Sequence, residues 1–141
     1  MGFVSDEKGE GMERGAPRHA HVLIAEDEVL IAAGLRMVLE AAGYRVTVTH
    51  DGLAALEVEK RDPADVLLTD LQMPRLGGAE LIRRVRARRP DVPVVAMSGD
   101  PPSGAGATLS NVWPDQVRLL RKPFPTAELM ASLQAALVSR P

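Results

Sequence analysis

The sequence predicts an α/β fold: a doubly wound, five-stranded parallel sheet with helices on both faces. Two observations carry this prediction. Short apolar segments alternate with segments whose apolar residues recur every three or four positions, as strands alternate with helices. This alternation continues throughout the chain, which argues for right-handed βαβ crossovers and a parallel sheet covered on both sides. The predicted strands are residues 21–25, 45–49, 66–69, 94–98 and 117–121, and the predicted helices are 29–42, 53–60, 79–88 and 126–139.

The first predicted helix has one broad apolar stripe that we expect to be buried. Gly43 follows it and is the usual type of residue at a helix C-terminus. The strand at 45–49 alternates apolar and polar residues, which indicates a half-buried strand near an edge of the sheet. The stripe consists of Leu30, Ile31, Leu35, Val38, Leu39 and Ala42.

The segment between the fourth and fifth strands departs from the alternation. A helix is expected there, but Pro101, Pro102, Gly104, Gly106 and Pro114 oppose one. We therefore predict at most a short helix across 105–112.

Length and composition predict one cytoplasmic domain. The chain has 141 residues, no cysteine and a net charge of −2, which excludes disulfides and thiolate chemistry and gives no global attraction to nucleic acid. It has no apolar run of the ~20 residues that span a membrane, and no N-terminal signal segment. Residues 1–20, rich in glycine and charge, are interpreted as a disordered leader or a cloning remnant, and residues 21–141 as the folded domain.

Basic residues cluster on the third predicted helix. They occupy positions left over by the apolar ones, so a solvated basic face is the preferred interpretation over a nucleic-acid surface. The cluster consists of Arg83, Arg84, Arg86, Arg88 and Arg89.

Polar side chains lie at or just after the carboxyl ends of four of the five predicted strands. Glu26 and Asp27 follow the first strand, Asp70 the third, Ser98 ends the fourth, and Lys122 comes after the fifth. The carboxyl ends of parallel strands lie along one edge of a sheet, where such folds place their chemistry. Taken singly, these residues could cap a helix, form a turn or end a strand. Their occurrence together and in order favours a functional site.

Three carboxylates in a small space need a cation. An all-oxygen set points to a hard divalent ion, Mg²⁺ first. Asp70 could then act as a nucleophile toward phosphorus, with Lys122 and the metal neutralising the transferred group. The Ser98 hydroxyl would bond one phosphoryl oxygen.

These motifs resemble the response-regulator receiver domains of two-component signalling, over residues 21–139. The resemblance rests on Glu26-Asp27, on the run Asp70-Leu71-Gln72-Met73-Pro74 with Gly78 beyond it, on Ser98-Gly99, and on Lys122-Pro123-Phe124. It implies a flavodoxin-like sheet of order 2-1-3-4-5. It also implies a phosphoprotein in which Asp70 takes a phosphoryl group from a histidine kinase, a histidine phosphotransfer protein or a small donor such as acetyl phosphate.

The resemblance also implies the metal ligands. Asp27, Asp70 and the backbone carbonyl of Gln72 would bind Mg²⁺ directly, and Glu26 would act through water. Such a protein catalyses its own aspartyl phosphorylation and dephosphorylation without being a conventional turnover enzyme. A cis Lys122–Pro123 bond is a further expectation.

The sequence departs from the family pattern at Leu119, where receivers usually carry an aromatic residue. We therefore hypothesise that phosphorylation shifts an order–disorder equilibrium in residues 99–116 and that a downstream protein reads the signal by contact, without nucleic acid or membrane. A phosphate sink and a pseudo-receiver without phosphotransfer remain alternatives. An aspartyl phosphatase is disfavoured because position 72 is glutamine, and a transcription factor because no DNA-binding segment is evident.

Overall fold

A computed structural model describes residues 19–99 and 117–138. In chain order the elements are β1 (His21–Ala25), α1 (Val29–Ala41), β2 (Arg45–Thr49), α2 (Gly52–Arg61), β3 (Val66–Asp70), α3 (Gly78–Arg88), β4 (Val94–Ser98), β5 (Val117–Arg121) and α4 (Thr126–Val138). Their bounds agree with the predicted ones to within a residue at each end. The short helix predicted at 105–112 and the segment of the order–disorder hypothesis, except for Gly99, lie outside the described residues.

The five strands form one parallel sheet in the order β2-β1-β3-β4-β5, which confirms the predicted topology. The register pairs Asp70 with Met97, and Ser98 with Arg121. The carboxyl ends of β3, β4 and β5 therefore finish side by side at one edge. β2 lies at the border of the sheet, as its alternating pattern predicts.

Two apolar layers cover the sheet, because successive strand residues face opposite sides. On one face, α1 and α4 pack against alternate residues of the strands, including Ile24, Leu68 and Met97. On the other face, α2 and α3 cover the intervening residues, including Leu23 and Leu67. This arrangement confirms the doubly wound prediction.

The stripe predicted for α1 is wrong at its two ends. Leu30 is 86% exposed, and Ala42 lies past the helix end and is also exposed. The helix instead turns Ala32, Leu35 and Leu39 toward the sheet. With about 100° of rotation per residue, position 30 lies about 200° from position 32 and so faces away.

The basic cluster on α3 is only partly a solvated face. Arg83 and Arg84 are exposed and pair with Glu80. Their hydrogen bonds lower the pKa of Glu80 to about 2, and the bond from Arg83 has the larger effect. Arg86 contradicts the prediction, since it is 9% exposed and donates to the Val92 carbonyl oxygen at 2.9 Å. A long side chain with five donors can be buried where a loop carbonyl accepts from it.

Arg89 also departs from that interpretation. It is half-buried and pairs with the carboxylate of Glu59, which is itself buried. This ion pair joins α2 to the end of α3. The last turn of α3 is thus anchored by arginines that the sequence pattern assigns to solvent.

The folded core begins slightly before the predicted domain boundary. Ala20, placed by that boundary in the leader, is 3% exposed and packs in the core. His21 is buried as well, and its Nε2 lies 2.8 Å from the Thr47 hydroxyl and its Nδ1 3.2 Å from the Pro63 carbonyl oxygen. This histidine therefore has a structural role. Within the described parts of the chain, none of the helices has the length and apolar character needed to cross a membrane.

Candidate functional site

The carboxyl edge of the sheet brings together the acidic residues and Lys122. Main-chain hydrogen bonds continue past the strand ends and fix these positions. The Glu26 amide donates to the Thr49 carbonyl oxygen at 3.0 Å, and the Lys122 amide donates to the Ser98 carbonyl oxygen at 2.8 Å. The peptide bond between Lys122 and Pro123 is cis, as expected.

Lys122 bridges two buried carboxylates. Its Nζ donates to Oε1 of Glu26 and to Oδ2 of Asp70, each at 2.8 Å. Glu26 is fully buried and Asp70 is 7% exposed. The other oxygen of each carboxylate accepts a main-chain N–H, from Glu28 at 3.1 Å and from Gln72 at 3.0 Å. Both side chains are thereby held at both oxygens.

Burial and charge act against each other in this cluster. Burial raises the pKa of Glu26, although the hydrogen bond from Lys122 opposes that shift. Burial also disfavours the charged form of Lys122, but its hydrogen bonds to Asp70 and Glu26 hold its pKa above the usual value. When all groups are ionised, the described part of the site holds three carboxylates and one ammonium group. The excess negative charge favours a bound cation.

The donor set fits a magnesium ion. Glu26, Asp27 and Asp70 each offer a carboxylate oxygen, and these oxygens lie within 4.8 Å of one another. Octahedral coordination at about 2.1 Å separates ligand oxygens by about 3 to 4.2 Å, so small side-chain movements suffice. Asp27 is exposed, which leaves room for water ligands.

Two further residues match the motif positions. Gly78 allows the close approach of α3 to the site: a Cβ there would lie 2.2 Å from the carbonyl oxygen of Asp70. Ser98 ends β4 one residue past the partner of Asp70 and is partly exposed. The edge therefore gathers every residue predicted for the site: Glu26, Asp27, Asp70, Gln72, Ser98 and Lys122.

His50 is a neighbour of the site that the sequence did not indicate. Its Nδ1 lies 3.0 Å from the carbonyl oxygen of Glu26, a distance at which an N–H donates. The ring thus braces the main chain that carries the acidic pair. Its only signal in the sequence is its place directly after β2, which does not distinguish it from any exposed histidine.

The fold and site define a class: a doubly wound α/β domain with a lysine-bridged acidic site at the carboxyl edge of its sheet. The chain belongs to the family of response regulator receiver domains, whose family model matches residues 22–134. It is therefore the receiver domain of a response regulator, consistent with two-component signalling.

Relatives of known name agree with this assignment. The chain is 34% identical over 134 residues to the uncharacterized transcriptional regulatory protein YkoG of Bacillus subtilis, covering 89% of this chain and 52% of that protein. It is 36% identical over 117 residues to the response regulator MprA of Mycobacterium ulcerans, covering 82% and 49%. The chain spans about half the length of these relatives.

A solved structure shows the same fold. The chemotaxis protein CheY4 of Vibrio cholerae superposes with a TM-score of 0.75 at 27% identity, covering 84% of this chain and 98% of that one.

Proposed function

We propose that Asp70 accepts a phosphoryl group from the phosphohistidine of a histidine kinase or a phosphotransfer protein, in a reaction that depends on Mg²⁺. The observation that carries this proposal is the bridge from Lys122 to Asp70 and Glu26. In this bridge the ammonium group of Lys122 lies beside the carboxylate that ends β3. Membership of the receiver family supports the same chemistry.

The transfer is a displacement at phosphorus. A carboxylate oxygen of Asp70 forms the new O–P bond, the P–N bond to the donor imidazole breaks, and the imidazole leaves with the bonding electrons and takes up a proton. In this proposal, Lys122 neutralises the charge of a phosphoryl oxygen while the carboxylate of Asp70 attacks phosphorus. Because Asp70 is held at both oxygens, its carboxylate starts the reaction in a defined orientation.

Asp27, Asp70 and the carbonyl of Gln72 would hold Mg²⁺, and Glu26 would contribute through water. When bound, the ion supplies charge neutralisation for the phosphoryl oxygens. Glu26 keeps Lys122 in place from its buried position on the other side of the ammonium group. The hydroxyl of Ser98 would bond a phosphoryl oxygen once the group is attached.

The output is proposed to be contact with a downstream protein. One relative is named a transcriptional regulatory protein, so a longer protein containing this domain could regulate transcription through a separate part. Within the domain itself, the phosphorylated edge is the surface that changes charge.

The test is phosphorylation by acetyl phosphate with Mg²⁺, followed by intact-mass measurement. The wild-type protein should gain one phosphoryl group, and Asp70→Asn should gain none. The control Asp91→Asn, an exposed aspartate before β4 at the opposite edge, should behave like the wild type. A chelator of Mg²⁺ should abolish the gain. Absence of labelling from both acetyl phosphate and a set of histidine kinases would favour the pseudo-receiver alternative.

A further inference from the structure

We infer that Asp51 and Gly52, at the start of α2, position the loop that presents Gln72 to Asp70. This inference rests on the proposed function for its consequences in metal binding. The loop comprises residues 71–77, between β3 and α3, and is called the acceptor loop below. Neither Asp51 nor Gly52 touches the reacting carboxylate, so both act as positioning residues.

The acceptor loop is fixed at its ends and strained in its middle. The amide of Leu71 donates to the Met97 carbonyl oxygen at 3.0 Å, and the amide of Gly78 to the Leu71 carbonyl oxygen at 3.1 Å. Between them, the amide of Leu76 donates to the carbonyl oxygen of Pro74 at 2.7 Å.

The residue enclosed by that last hydrogen bond is Arg75, with a φ of 69°. A hydrogen bond between residues two apart around a positive φ defines the rarer, strained form of the γ-turn. A residue other than glycine keeps such a strained backbone conformation only where the surrounding structure enforces it. Two contacts from the start of α2 reach this part of the loop.

Asp51 makes the first of these contacts. Its Oδ2 lies 3.4 Å from Nε of Arg75, while its Oδ1 accepts the amide of Ala54 at 2.8 Å and caps α2. Only 19% of the Asp51 side chain is exposed, whereas 61% of the Arg75 side chain is. One carboxylate therefore ties the strained residue of the acceptor loop to the first turn of a helix.

The second contact is between the main chain of Gly52 and the acceptor loop, which lie so close together that no side chain fits between them. A Cβ at this position would lie 2.2 Å from the carbonyl oxygen of Leu76 and 2.6 Å from its Cβ. The φ of Gly52 is outside the left-handed region, so glycine is required for space and not for conformation. Any side chain here must push the main chain of the acceptor loop away from α2.

Such a displacement reaches the site through a short path. Gln72 lies in the same loop, and its amide donates to Oδ1 of Asp70 at 3.0 Å. Its carbonyl is also one of the proposed magnesium ligands. Moving the loop away from Gly52 therefore changes both the orientation of Asp70 and the placement of that ligand.

The decisive comparison is Gly52→Ala against Gly34→Ala. Gly34 lies within α1, and a Cβ there meets no atom within 4 Å. In the metal-free protein, Gly52→Ala should shift the NMR resonance of the Gln72 amide and speed its hydrogen exchange. It should also weaken Mg²⁺ binding by about tenfold or more, as loss of outer support for metal ligands does. Gly34→Ala should change neither quantity.

A second pair of variants tests the contact between Asp51 and Arg75. Asp51→Asn keeps an oxygen that can cap α2 but removes the charge opposite Arg75. Asp51→Asn and Arg75→Gln should both lower the affinity for Mg²⁺. The double variant should bind Mg²⁺ no more weakly than either single variant. Additive losses would contradict a shared mechanism.

The results separate this inference from the proposed function. If Gly52→Ala lowers the melting temperature but leaves the Gln72 amide and the Mg²⁺ affinity as in Gly34→Ala, Gly52 is merely structural and the inference is wrong. If the wild-type protein takes up neither Mg²⁺ nor a phosphoryl group, the proposed function fails. In that case the Gln72 amide of the metal-free variants still decides whether α2 positions the loop.

Discussion

Replacing Lys122 by methionine tests the electrostatic balance of the site most directly. Lys122 is 19% exposed and donates two charge-assisted hydrogen bonds of 2.8 Å, to Glu26 and Asp70. Such a bond contributes about 1.5–3 kcal/mol, and removing one partner of a buried ion pair costs about 3–5 kcal/mol. Partial exposure of Lys122 and uptake of a proton by Glu26 both reduce the loss. We expect the free energy of unfolding to fall by about 3 kcal/mol in metal-free buffer at neutral pH.

The assay is thermal and urea unfolding of Lys122→Met beside Lys60→Met, which removes an exposed lysine of α2. For a domain of this size the expected loss corresponds to a fall in melting temperature of about 10 °C. The control should stay within about 0.5 kcal/mol of the wild type. Millimolar Mg²⁺ should narrow the difference, because the variant lacks the ammonium group that competes for the same carboxylates and should therefore bind the ion more tightly and gain more stability from it.

The pH dependence gives an independent check. Burial already raises the pKa of Glu26, and losing Lys122 raises it further because a lowering contact disappears. A group with a raised folded pKa binds protons more tightly when folded, so it favours folding as the pH falls. The deficit of Lys122→Met should therefore shrink between neutral pH and the ordinary pKa of a glutamate. A variant as stable as Lys60→Met at neutral pH without metal, or a deficit that does not change with pH, would refute the reasoning.

Three further tests, two of them with a paired substitution, have distinct expected outcomes. Gly78→Ala forces a Cβ to within 2.2 Å of the main chain at the end of β3, so it should lower stability by about 1–3 kcal/mol in urea unfolding and weaken Mg²⁺ binding in titration. Arg86→Met leaves a buried carbonyl oxygen without its donor and should cost about 1–3 kcal/mol, whereas Arg88→Met should stay within about 0.5 kcal/mol; equal effects would show that Arg86 is solvated. Leu30→Gln should leave the melting temperature unchanged because Leu30 is exposed, while Leu39→Ala should cost about 2–5 kcal/mol.

The placement of the site could be predicted from sequence because it depends on topology more than on detail. Asp70 and Lys122 are 52 residues apart, yet each comes directly after a segment predicted to be a strand. Once those runs are strands of one parallel sheet, their ends must meet. The bounds of the elements were predictable because the apolar periodicity is strong and because glycine, proline or charged residues border most of the segments.

The errors arose where a residue's surroundings depend on tertiary contacts. Leu30 has an apolar side chain like those of the core, but α1 is oriented so that Ala32, Leu35 and Leu39 face the sheet. These three residues allow the helix to approach the sheet closely. Arg86 has a charged side chain of the kind usually found at the surface, but it donates a hydrogen bond to a carbonyl oxygen in the loop before β4. In both cases the partner lies outside the helix itself, so no pattern within one helix could reveal it.

Residues of the site are held in place in two ways, by main-chain hydrogen bonds of the sheet and by contacts from a neighbouring helix. The positions of Glu26 and Lys122 follow from main-chain hydrogen bonds that continue the sheet, so they should tolerate change in the surrounding helices. Among the described residues, main-chain hydrogen bonds fix the two ends of the acceptor loop, and its middle contains a strained turn at Arg75. Its geometry therefore depends on the start of α2, a separate helix. Substitutions at Gly52 should consequently alter the chemistry at Asp70 while leaving the bridge from Lys122 to Glu26 intact, whereas substitutions within the strands should affect both together.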